Sequence, residues 1–422
     1  MPNDNSSIGI ITSYPAKNGE IASANAISRY SHLLSKSFYK NQNLVIFSEK
    51  SQKNNISYQS AENILIVPTY KYNSTLFFSQ VLGKVIDFNK IKDYLIQFEF
   101  SIFGGKKMIP SFLLMLLGLK LLNKNTTITL HQVATNLNDL SGHLGLQKNS
   151  FKTHFFNVSL NIFYRVVGVL AQKIIVHDEL LKNRLSDYVD SKKIEVIPHA
   201  IGDESIKKIT PKIAVAAKKQ FGFNKKDKVI TVYGYRSWYK GTDWIVKTVK
   251  ELGDANPKLN LKLLVAGGVS PTLKNTASYK NFDRKLKNVI KKANGSVKVT
   301  GFVPEKDVWK VFAASDVVVF PYRTRMSASG AFALTLAYKK PFLVSNHFAA
   351  GSEIDLSEVS FDMNTFSFEN ALNNIKKVDI KKLTENRDWD SIASLYLDCV
   401  KSAKINLDVN PSFEKIYQLA QN

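Results

Sequence analysis

Short apolar runs recur along the chain, and longer segments with helical character separate most of them. In the first half, the runs that predict strands are residues 8–11, 44–47, 64–67, 94–98, 127–130, 173–177 and 194–197. In the second half they are residues 229–232, 261–265, 297–300, 317–320 and 342–344. Strands that alternate with helices in this way are typical of doubly wound parallel sheets. The pattern therefore predicts an α/β protein.

The composition fits two domains of ordinary size. The chain has 422 residues, of which 44% are hydrophobic, so it can bury a sizeable core. A lysine-rich stretch at residues 202–224 contains few strand signals and separates the two groups of strands. We therefore expect one Rossmann-like domain over residues 1–203 and a second over residues 204–390.

Two long apolar segments lie in the first half. Residues 108–122 include Pro110 and Lys120 and are too short to span a bilayer, so a buried helix is expected there. Residues 151–171 are apolar on both flanks of a predicted helix, and burial is the favoured interpretation. The alternative is a helix that lies in the lipid headgroup region, with lysines and arginines around it facing the lipid.

The formal net charge of +23 is large and could indicate a nucleic-acid or anionic-membrane partner. No arginine-rich run and no basic stretch interleaved with aromatic residues occurs, so nucleic-acid binding is not expected. Most of the basic residues are lysine, which compositional drift alone could also produce. An anionic membrane surface therefore remains open as a partner.

The single cysteine, Cys399, cannot form an intramolecular disulfide, and it falls on the apolar face of a predicted helix, so we expect it in the core. The amino terminus shows no basic region followed by an apolar run, and no signal peptide is expected. These features favour a cytoplasmic protein.

Candidate chemistry gathers in residues 315–346. A strand at 317–320 is stopped by Pro321, and strong helix formers follow at 331–338. Between them lies Ser327-Ala328-Ser329-Gly330, where several backbone N–H groups should be free and the positive end of the helix dipole lies behind them. This arrangement predicts a site for an anion, most plausibly phosphate. An ordinary serine N-cap is the alternative.

Three further motifs end apolar runs in the second half. They are Tyr233-Gly234-Tyr235-Arg236 with Lys240-Gly241, then Leu264-Val265-Ala266-Gly267-Gly268, then Val299-Thr300-Gly301-Phe302-Val303-Pro304. Together with the serine–glycine loop they resemble the donor-binding half of retaining GT-B glycosyltransferases of the family-4 type. The absence of a G-x-G-x-x-G motif argues against an ordinary dinucleotide-binding dehydrogenase.

The resemblance implies roles for the residues of these motifs. Arg236 and Lys240 would grip the donor diphosphate, and the turn with Phe302 and Val303 would cradle the nucleobase. The remaining donor-binding candidates are small residues that let the backbone approach the donor, namely Gly234, Gly267, Ser329 and Gly330.

The first half carries weaker matches to the same family. Asn18-Gly19 follows the first strand, where the family has two glycines that approach the donor phosphate. His131 ends a strand at the position of a histidine that faces the donor sugar. Glu99 and His199 are candidates for the acceptor side, although Glu99 could equally be a surface carboxylate at a strand end. Residues 391–422 resemble the family's final helices, which pack back on the first domain.

Sugar transfer from a nucleoside diphosphate requires fixed positive groups beside the leaving phosphates. Arg236, Lys240 and the amides near Ser329 would supply them, so no metal and no other cofactor is expected. The pattern Asp388-Trp389-Asp390 matches a manganese motif, but it precedes a predicted helix, where aspartates commonly act as caps.

One departure affects the expected chemistry. Many members of the family carry two glutamates eight positions apart in the central stretch, and Met326 and Leu334 stand in their places here. The sequence resembles a subset with a serine–glycine loop. We expect transfer with retention from a nucleotide sugar to a glycan or lipid-linked acceptor, in cell-surface polysaccharide or glycoconjugate synthesis. A catalytically silent subunit that supports a partner transferase is the main alternative, and a sugar-nucleotide epimerase of the same overall fold is disfavoured.

Overall fold

The structure is a computed structural model that describes residues 7–15, 26–38, 42–50, 56–202, 206–271, 273–293, 295–352, 355–375 and 380–403. Two sheets, each with its own apolar core, organise these residues. The boundary expected between residues 203 and 204 falls outside the described residues. Within them, no helix combines the length and the apolar character that crossing a membrane requires.

The first domain contains an eight-stranded sheet with helices on both faces. Its strands are β1 (Ile8–Ile11), β2 (Leu44–Glu49), β3 (Tyr58–Ala61), β4 (Ile64–Tyr70), β5 (Asp93–Phe98), β6 (Asn125–Leu130), β7 (Lys173–Val176) and β8 (Ile194–Val196). Its helices are α1 (Ala26–Phe38), α2 (Phe77–Asp87), α3 (Ile109–Leu121), α4 (Ser141–Leu144), α5 (Phe151–Leu170) and α6 (Glu179–Ser186).

The second domain contains a six-stranded sheet. Its helices are α7 (Pro211–Gln220), α8 (Thr242–Ala255), α9 (Ala277–Lys292), α10 (Val308–Ala314), α11 (Gly330–Ala337), α12 (Asn346–Ala349), α13 (Thr365–Asn373) and α14 (Ile380–Thr384). Its strands are β9 (Lys228–Tyr233), β10 (Leu261–Ala266), β11 (Val297–Val299), β12 (Val317–Phe320), β13 (Phe342–Ser345) and β14 (Ser360–Phe361). The last helix, α15 (Trp389–Ser402), packs on α1, β5 and β6 of the first domain.

In both sheets the strand order reverses beside the strand that comes first in the chain, so that some later strands lie on one side of it and some on the other. The first has the order β3-β4-β2-β1-β5-β6-β7-β8, and the second has the order β11-β10-β9-β12-β13-β14. All neighbours are parallel except β3 and β4. Such a reversal opens a crevice at the carboxyl ends of the strands. The two domains are therefore Rossmann-like, as the apolar pattern predicted.

The structure differs from the sequence prediction at three elements. Strand β3 was not predicted because its four residues, YQSA, are mostly polar and lie at the edge of the sheet. Strand β14 has only two residues, which is too short to leave an apolar run. The helix expected to be buried at residues 151–171 is present as α5, but the side chains along one of its faces are exposed.

Ion pairs and backbone bonds hold the two domains together. Arg29 of α1 pairs with Glu305 of the second domain. Asp178, the N-cap of α6, pairs with Arg325 at 2.9 Å between Oδ2 and Nη2. The backbone N–H of Val133 donates to the carbonyl of Met326 at 3.1 Å. These contacts place the loop before α11 directly against the first domain.

Candidate functional site

A cleft of about 1010 Å³ lies between the carboxyl ends of the two sheets. Parallel strands end at the same edge of a sheet, so residues that follow different strands meet there. The predicted site residues that line this cleft are Glu99, His131, His199, Gly234, Lys240, Gly267, Phe302, Val303, Ser329 and Gly330. The described cleft wall does not include Arg236. Gly19 lies outside the described residues.

Lys240 is largely buried in the cleft wall and faces aromatic rings. Its Nζ lies 5.9 Å from the centre of the Tyr239 ring and 6.0 Å from that of Tyr322. No carboxylate among the described residues forms an ion pair with it. Aromatic rings stabilise a cation only modestly, and a buried charge without a counterion is unfavourable. The site is therefore suited to an anionic ligand.

The side chain of Arg236 is held within the second domain. Its guanidinium points into the second domain, where Nη2 lies 3.6 Å from Oδ1 of Asp283 on α9. Its backbone carbonyl accepts a hydrogen bond from the hydroxyl of Tyr279 at 3.0 Å. Neighbouring residues of an extended segment point in opposite directions, and the neighbour that faces the cleft is Tyr235. The expected diphosphate contact by Arg236 is thus not supported by its position.

Two glycines allow the backbone at the ends of β9 and β10 to come together. A Cβ atom on Gly267 would lie 1.8 Å from the carbonyl oxygen of Gly234, so no other residue fits without movement. Gly234 has φ +107°, and a Cβ atom there would lie 2.9 Å from Nζ of Lys240. Both glycines therefore shape the wall on which Lys240 rests.

Helix α11 points its amino end at the cleft. Ser329 is its N-cap, and Oγ accepts a hydrogen bond from the N–H of Phe332 at 3.3 Å. The Tyr322 hydroxyl also lies 3.3 Å from this Oγ. The N–H groups of Gly330 and Ala331 have no acceptor among the described residues. The serine is thus a cap, as the alternative interpretation held, and two free N–H groups still line the cleft beside it.

The loop that precedes α11 is fixed at several points. Arg323 forms a bidentate pair with Asp243 of α8, with both N–O distances at 2.9 Å. Ser327 bridges to Gln132 of the first domain. Met326 and Leu334 carry no charged group, and Leu334 contributes an apolar surface to the cleft. A ligand that reaches this part of the cleft would therefore meet backbone and apolar groups.

Aromatic rings line the opposite end of the second domain's wall. The rings of Tyr235 and Phe302 are nearly parallel, at an angle of 21° and a centroid distance of 6.4 Å. Phe302 is exposed, and Val303 follows it in the cleft. An exposed aromatic ring can stack on a planar ligand and remove apolar surface from water as it does so. This end of the cleft is suited to a nucleobase.

Three histidines form a buried cluster under the first domain's wall. His131 lies between Gln97 and His177, while Nδ1 of His199 donates to the carbonyl of Ala200. The ring of Tyr30 packs edge-on against all three. Burial holds the pKa of His131 well below its usual range, and it lowers the pKa values of His177 and His199 to about 4. All three are therefore neutral near pH 7.

The histidine cluster changes the role expected for His131. Its Nε2 lies 2.6 Å from the Gln97 amide, and its Nδ1 lies 3.0 Å from His177. Both ring nitrogens are thus occupied within the protein. A hydrogen bond from the ring to a donor sugar would require this network to break, so the expected contact is not supported by the geometry.

Two carboxyl groups face the cleft from the first domain, that of the buried Glu49 and that of the partly buried Glu99. Glu99 accepts hydrogen bonds from Ser101 at 3.0 Å and from Gln132 at 3.2 Å. Glu49 ends β2 and accepts from Ser13 at 3.1 Å. Burial raises the pKa of each carboxyl, while the serine hydrogen bond opposes the shift. Sequence analysis named Glu99 and missed Glu49, although its position at the carboxyl end of a predicted strand was an available signal.

Sequence analysis also missed Tyr239 and Tyr322, whose importance depends on their distance from Lys240. The Asp388-Trp389-Asp390 motif lies at the start of α15, where Oδ1 of Asp388 accepts from the N–H of Ser391 at 2.9 Å. This bond confirms the expected helix cap. No group of three or more potential ligands among His, Cys, Asp and Glu occurs in the described part of the chain.

Two Rossmann-like domains that face each other across such a cleft define the GT-B fold. HepE of Anabaena, solved with UDP and glucose, superposes with a TM-score of 0.67 at 13% identity, over 94% of this chain and 100% of that one. Trehalose-6-phosphate synthase OtsA gives a TM-score of 0.69 at 12% identity, over 94% of this chain and 99% of the other. These similarities establish the fold.

Sequence comparison points in the same direction. Residues 215–363 match the family described as Glycosyl transferases group 1, and this span contains Lys240, Gly267, Phe302 and α11. The D-inositol 3-phosphate glycosyltransferase of Corynebacterium aurimucosum is 25% identical over 115 residues. That match spans 26% of this chain and about a quarter of the relative's length. The chain thus has the GT-B fold, and the family match lies within its second domain.

Proposed function

We propose that the protein transfers a sugar, with retention and without a metal ion, from a nucleotide donor to a hydroxyl group of a glycan or lipid-linked acceptor. The observation that carries the proposal is Lys240, a largely buried cation at the cleft wall with aromatic neighbours and no carboxylate partner among the described residues. A diphosphate would supply the missing negative charge. Such a preorganised cation stabilises the charge that develops on the leaving group.

The amino end of α11 completes the proposed diphosphate site. The N–H groups of Gly330 and Ala331 would donate to phosphate oxygens, and the helix dipole would add to the attraction. The proposal assigns the positive charge at the diphosphate to Lys240, which lines the cleft, because the Arg236 guanidinium lies beside Asp283 in the second domain. The nucleobase would lie against Phe302 and Val303, and Gly267 would let the backbone approach the donor.

The acceptor would bind on the first domain's side of the cleft. Glu49 and Glu99 offer carboxyl groups that can hydrogen-bond sugar hydroxyls, and His199 lies on the same wall. An acceptor of this kind is consistent with polysaccharide or glycoconjugate synthesis in the cytoplasm. Retention is supported by the resemblance of the donor-side motifs to family-4 enzymes.

A panel of nucleotide sugars tests the proposal. Thermal unfolding of the full chain is measured with each nucleoside diphosphate and nucleotide sugar, followed by detection of free sugar or transferred product. A donor that stabilises the protein and is turned over is expected. The anomeric configuration of the product, read by NMR, then decides between retention and inversion.

A silent subunit is the second candidate, and the observation that favours it is the pair Met326 and Leu334, which lack the carboxyl groups of many relatives. Such a subunit would show no nucleotide-sugar hydrolysis and no thermal shift with any nucleoside diphosphate. The same panel therefore separates the two candidates.

A further inference from the structure

One face of α5 exposes a continuous apolar stripe. Phe151 is 86% exposed, Phe155 is 58% exposed and Ile162 is 56% exposed, with Val158 and Val169 also exposed. These positions step by three, four or seven residues and therefore lie on a single side of the helix. The opposite side of α5 packs into the first domain's core. Large side chains in such a row are uncommon on the surface of a protein that acts alone.

Helix α3 extends this apolar surface. Leu114, Leu121 and Leu122 are exposed, and they follow Pro110 along one side of the helix. The two helices contact each other and run in the same direction. Nζ of Lys106, just before α3, lies 5.6 Å from the centre of the Phe156 ring near the start of α5. Nζ of Lys120 donates to the carbonyl of Val169 at 3.0 Å, where both helices are close to their carboxyl ends. We call this surface the α3–α5 face.

Positive charge surrounds the α3–α5 face. Lys106 and Lys107 precede α3, Lys148 precedes α5, and Lys152 lies in its first turn, all with exposed side chains. Arg165 is exposed further along α5. Between residues 100 and 177, Asp139 is the only acidic residue in the sequence. The lysines here are therefore not balanced by acidic residues within the same stretch of the sequence.

The face begins beside the cleft. Helix α3 follows β5 and α5 precedes β7, so both helices run away from the carboxyl edge of the sheet. Glu99 and Ser101 line the cleft shortly before Lys106. Before α5, the chain passes Gly142, whose Cβ position lies 2.5 Å from the Trp238 ring of the second domain. The lysine-rich end of the face is thus its cleft end.

We propose that the α3–α5 face docks on an anionic bilayer surface. The apolar stripe would enter the boundary between headgroups and acyl chains, and the lysines would meet lipid phosphates. The charge distribution favours a membrane over a second copy of this chain, because two such faces would repel each other. The chain's own end is a less suitable occupant, since the last described helix, α15, packs on the opposite side of the sheet with α1.

The inference concerns attachment and stands apart from the proposed transfer reaction, because it can be tested without nucleotide or turnover. Docking in this orientation would present the acceptor side of the cleft to the membrane surface. A lipid-linked acceptor could then reach Glu49 and Glu99 without leaving the bilayer.

The test is co-sedimentation of the full chain with vesicles. Vesicles of phosphatidylglycerol and phosphatidylcholine are compared with vesicles of phosphatidylcholine alone, at about 0.05 M and about 0.5 M salt. Strong binding to the anionic vesicles at low salt, with a steep decrease at high salt, is expected. No binding at low salt, or equal binding to neutral vesicles, would overturn the proposal.

Variants locate the surface. Lys106→Gln/Lys107→Gln should lower the vesicle partition coefficient roughly tenfold or more, whereas Lys225→Gln/Lys226→Gln, an exposed lysine pair in the second domain, should not change it. Phe151→Ser/Phe155→Ser should also weaken binding, with Phe366→Ser on α13 as its control. Equal effects of test and control variants would contradict the assignment.

Light scattering after gel filtration tests whether a second copy of this chain occupies the face instead. A monomer in the absence of lipid, both before and after the Phe151→Ser/Phe155→Ser change, is expected. A dimer that this double change converts to a monomer would overturn the membrane assignment in favour of a second copy.

Discussion

Nε2 of His177 lies 3.0 Å from Nδ1 of His131, and this contact links the protonation of the two rings. Nδ1 of His177 lies 2.9 Å from the carbonyl of Ile197 and must donate to it. Nε2 of His177 is then an acceptor, and His131 donates through Nδ1. Nε2 of His131 in turn needs a donor. The NH₂ group of Gln97 supplies it once the interchangeable ends of the amide are assigned accordingly, which also gives Gln97 Nε2 a partner.

A first prediction follows for stability against pH. In the unfolded chain the histidines regain an ordinary pKa of about 6.5, whereas burial lowers the pKa values of His177 and His199 to about 4 in the folded protein. Between these values the unfolded state binds more protons. Stability should therefore be constant above about pH 6.5 and decrease as the pH falls toward 4, by about 1–3 kcal/mol for each histidine.

Thermal melting temperatures between about pH 7 and about pH 5 measure this slope. Glu49 and Glu99 have raised pKa values because of burial, so they act in the opposite direction, and a variant is needed to isolate the histidines. His177→Gln should flatten the slope, while His347→Gln, at an exposed position, should not. An unchanged slope in His177→Gln would contradict the proposed network.

A second prediction separates Lys240 from Arg236. Lys240→Gln should lower kcat/KM, because it removes the cation nearest the proposed diphosphate. The expected loss of transition-state stabilisation is about 2–4 kcal/mol. Arg236→Gln should instead reduce the free energy of unfolding by about 1–3 kcal/mol, since it leaves the largely buried Asp283 with Lys287 as its one ion-pair partner among the described residues. Steady-state kinetics and urea unfolding of both variants measure these effects. If Arg236→Gln is fully stable and inactive, the diphosphate contact belongs to Arg236 after all.

These two residues also show what the sequence could and could not predict. The motif located the end of β9 correctly. Adjacent side chains there point to opposite sides, however, so that Tyr235 lines the cleft while Arg236 points into the domain. The interpretation of α5 failed for a related reason. Its sequence is apolar nearly all round, and only the position of neighbouring elements decides which face is covered.

The parallel sheets were predictable because buried strands such as VVVF at β12 are apolar on both faces. The approach of the Tyr322 ring to Lys240 was not, because the two residues lie far apart in the sequence. Glu49 was accessible in principle, since it ends a strand that the apolar pattern had identified. The histidine cluster needed the structure, as its members end three separate strands or loops.

A third prediction concerns the glycines behind the donor site. In Gly267→Ala the added methyl group would lie 1.8 Å from the carbonyl oxygen of Gly234, so the ends of β9 and β10 must move apart. We expect a lower melting temperature and at least about a tenfold loss of nucleoside diphosphate affinity, or about 1.4 kcal/mol. Gly253→Ala on α8 is the matched control, because no atom lies within 4 Å of its Cβ position. That change should stabilise the protein by roughly 0.5–1 kcal/mol. Similar behaviour of both variants would refute the close backbone approach.

The last prediction concerns metal dependence. The proposed charge stabilisation comes from Lys240 and the amino end of α11, so a chelator should leave the rate of transfer unchanged. Asp388→Ala should cost about 1 kcal/mol of stability, because Asp388 caps α15 through Ser391, and it should not change kcat. Turnover with a chelator and urea unfolding of the variant are the measurements. Activity that disappears with the chelator and returns only with manganese, together with a loss of kcat in Asp388→Ala, would show that the motif binds a metal and that the leaving group is neutralised differently.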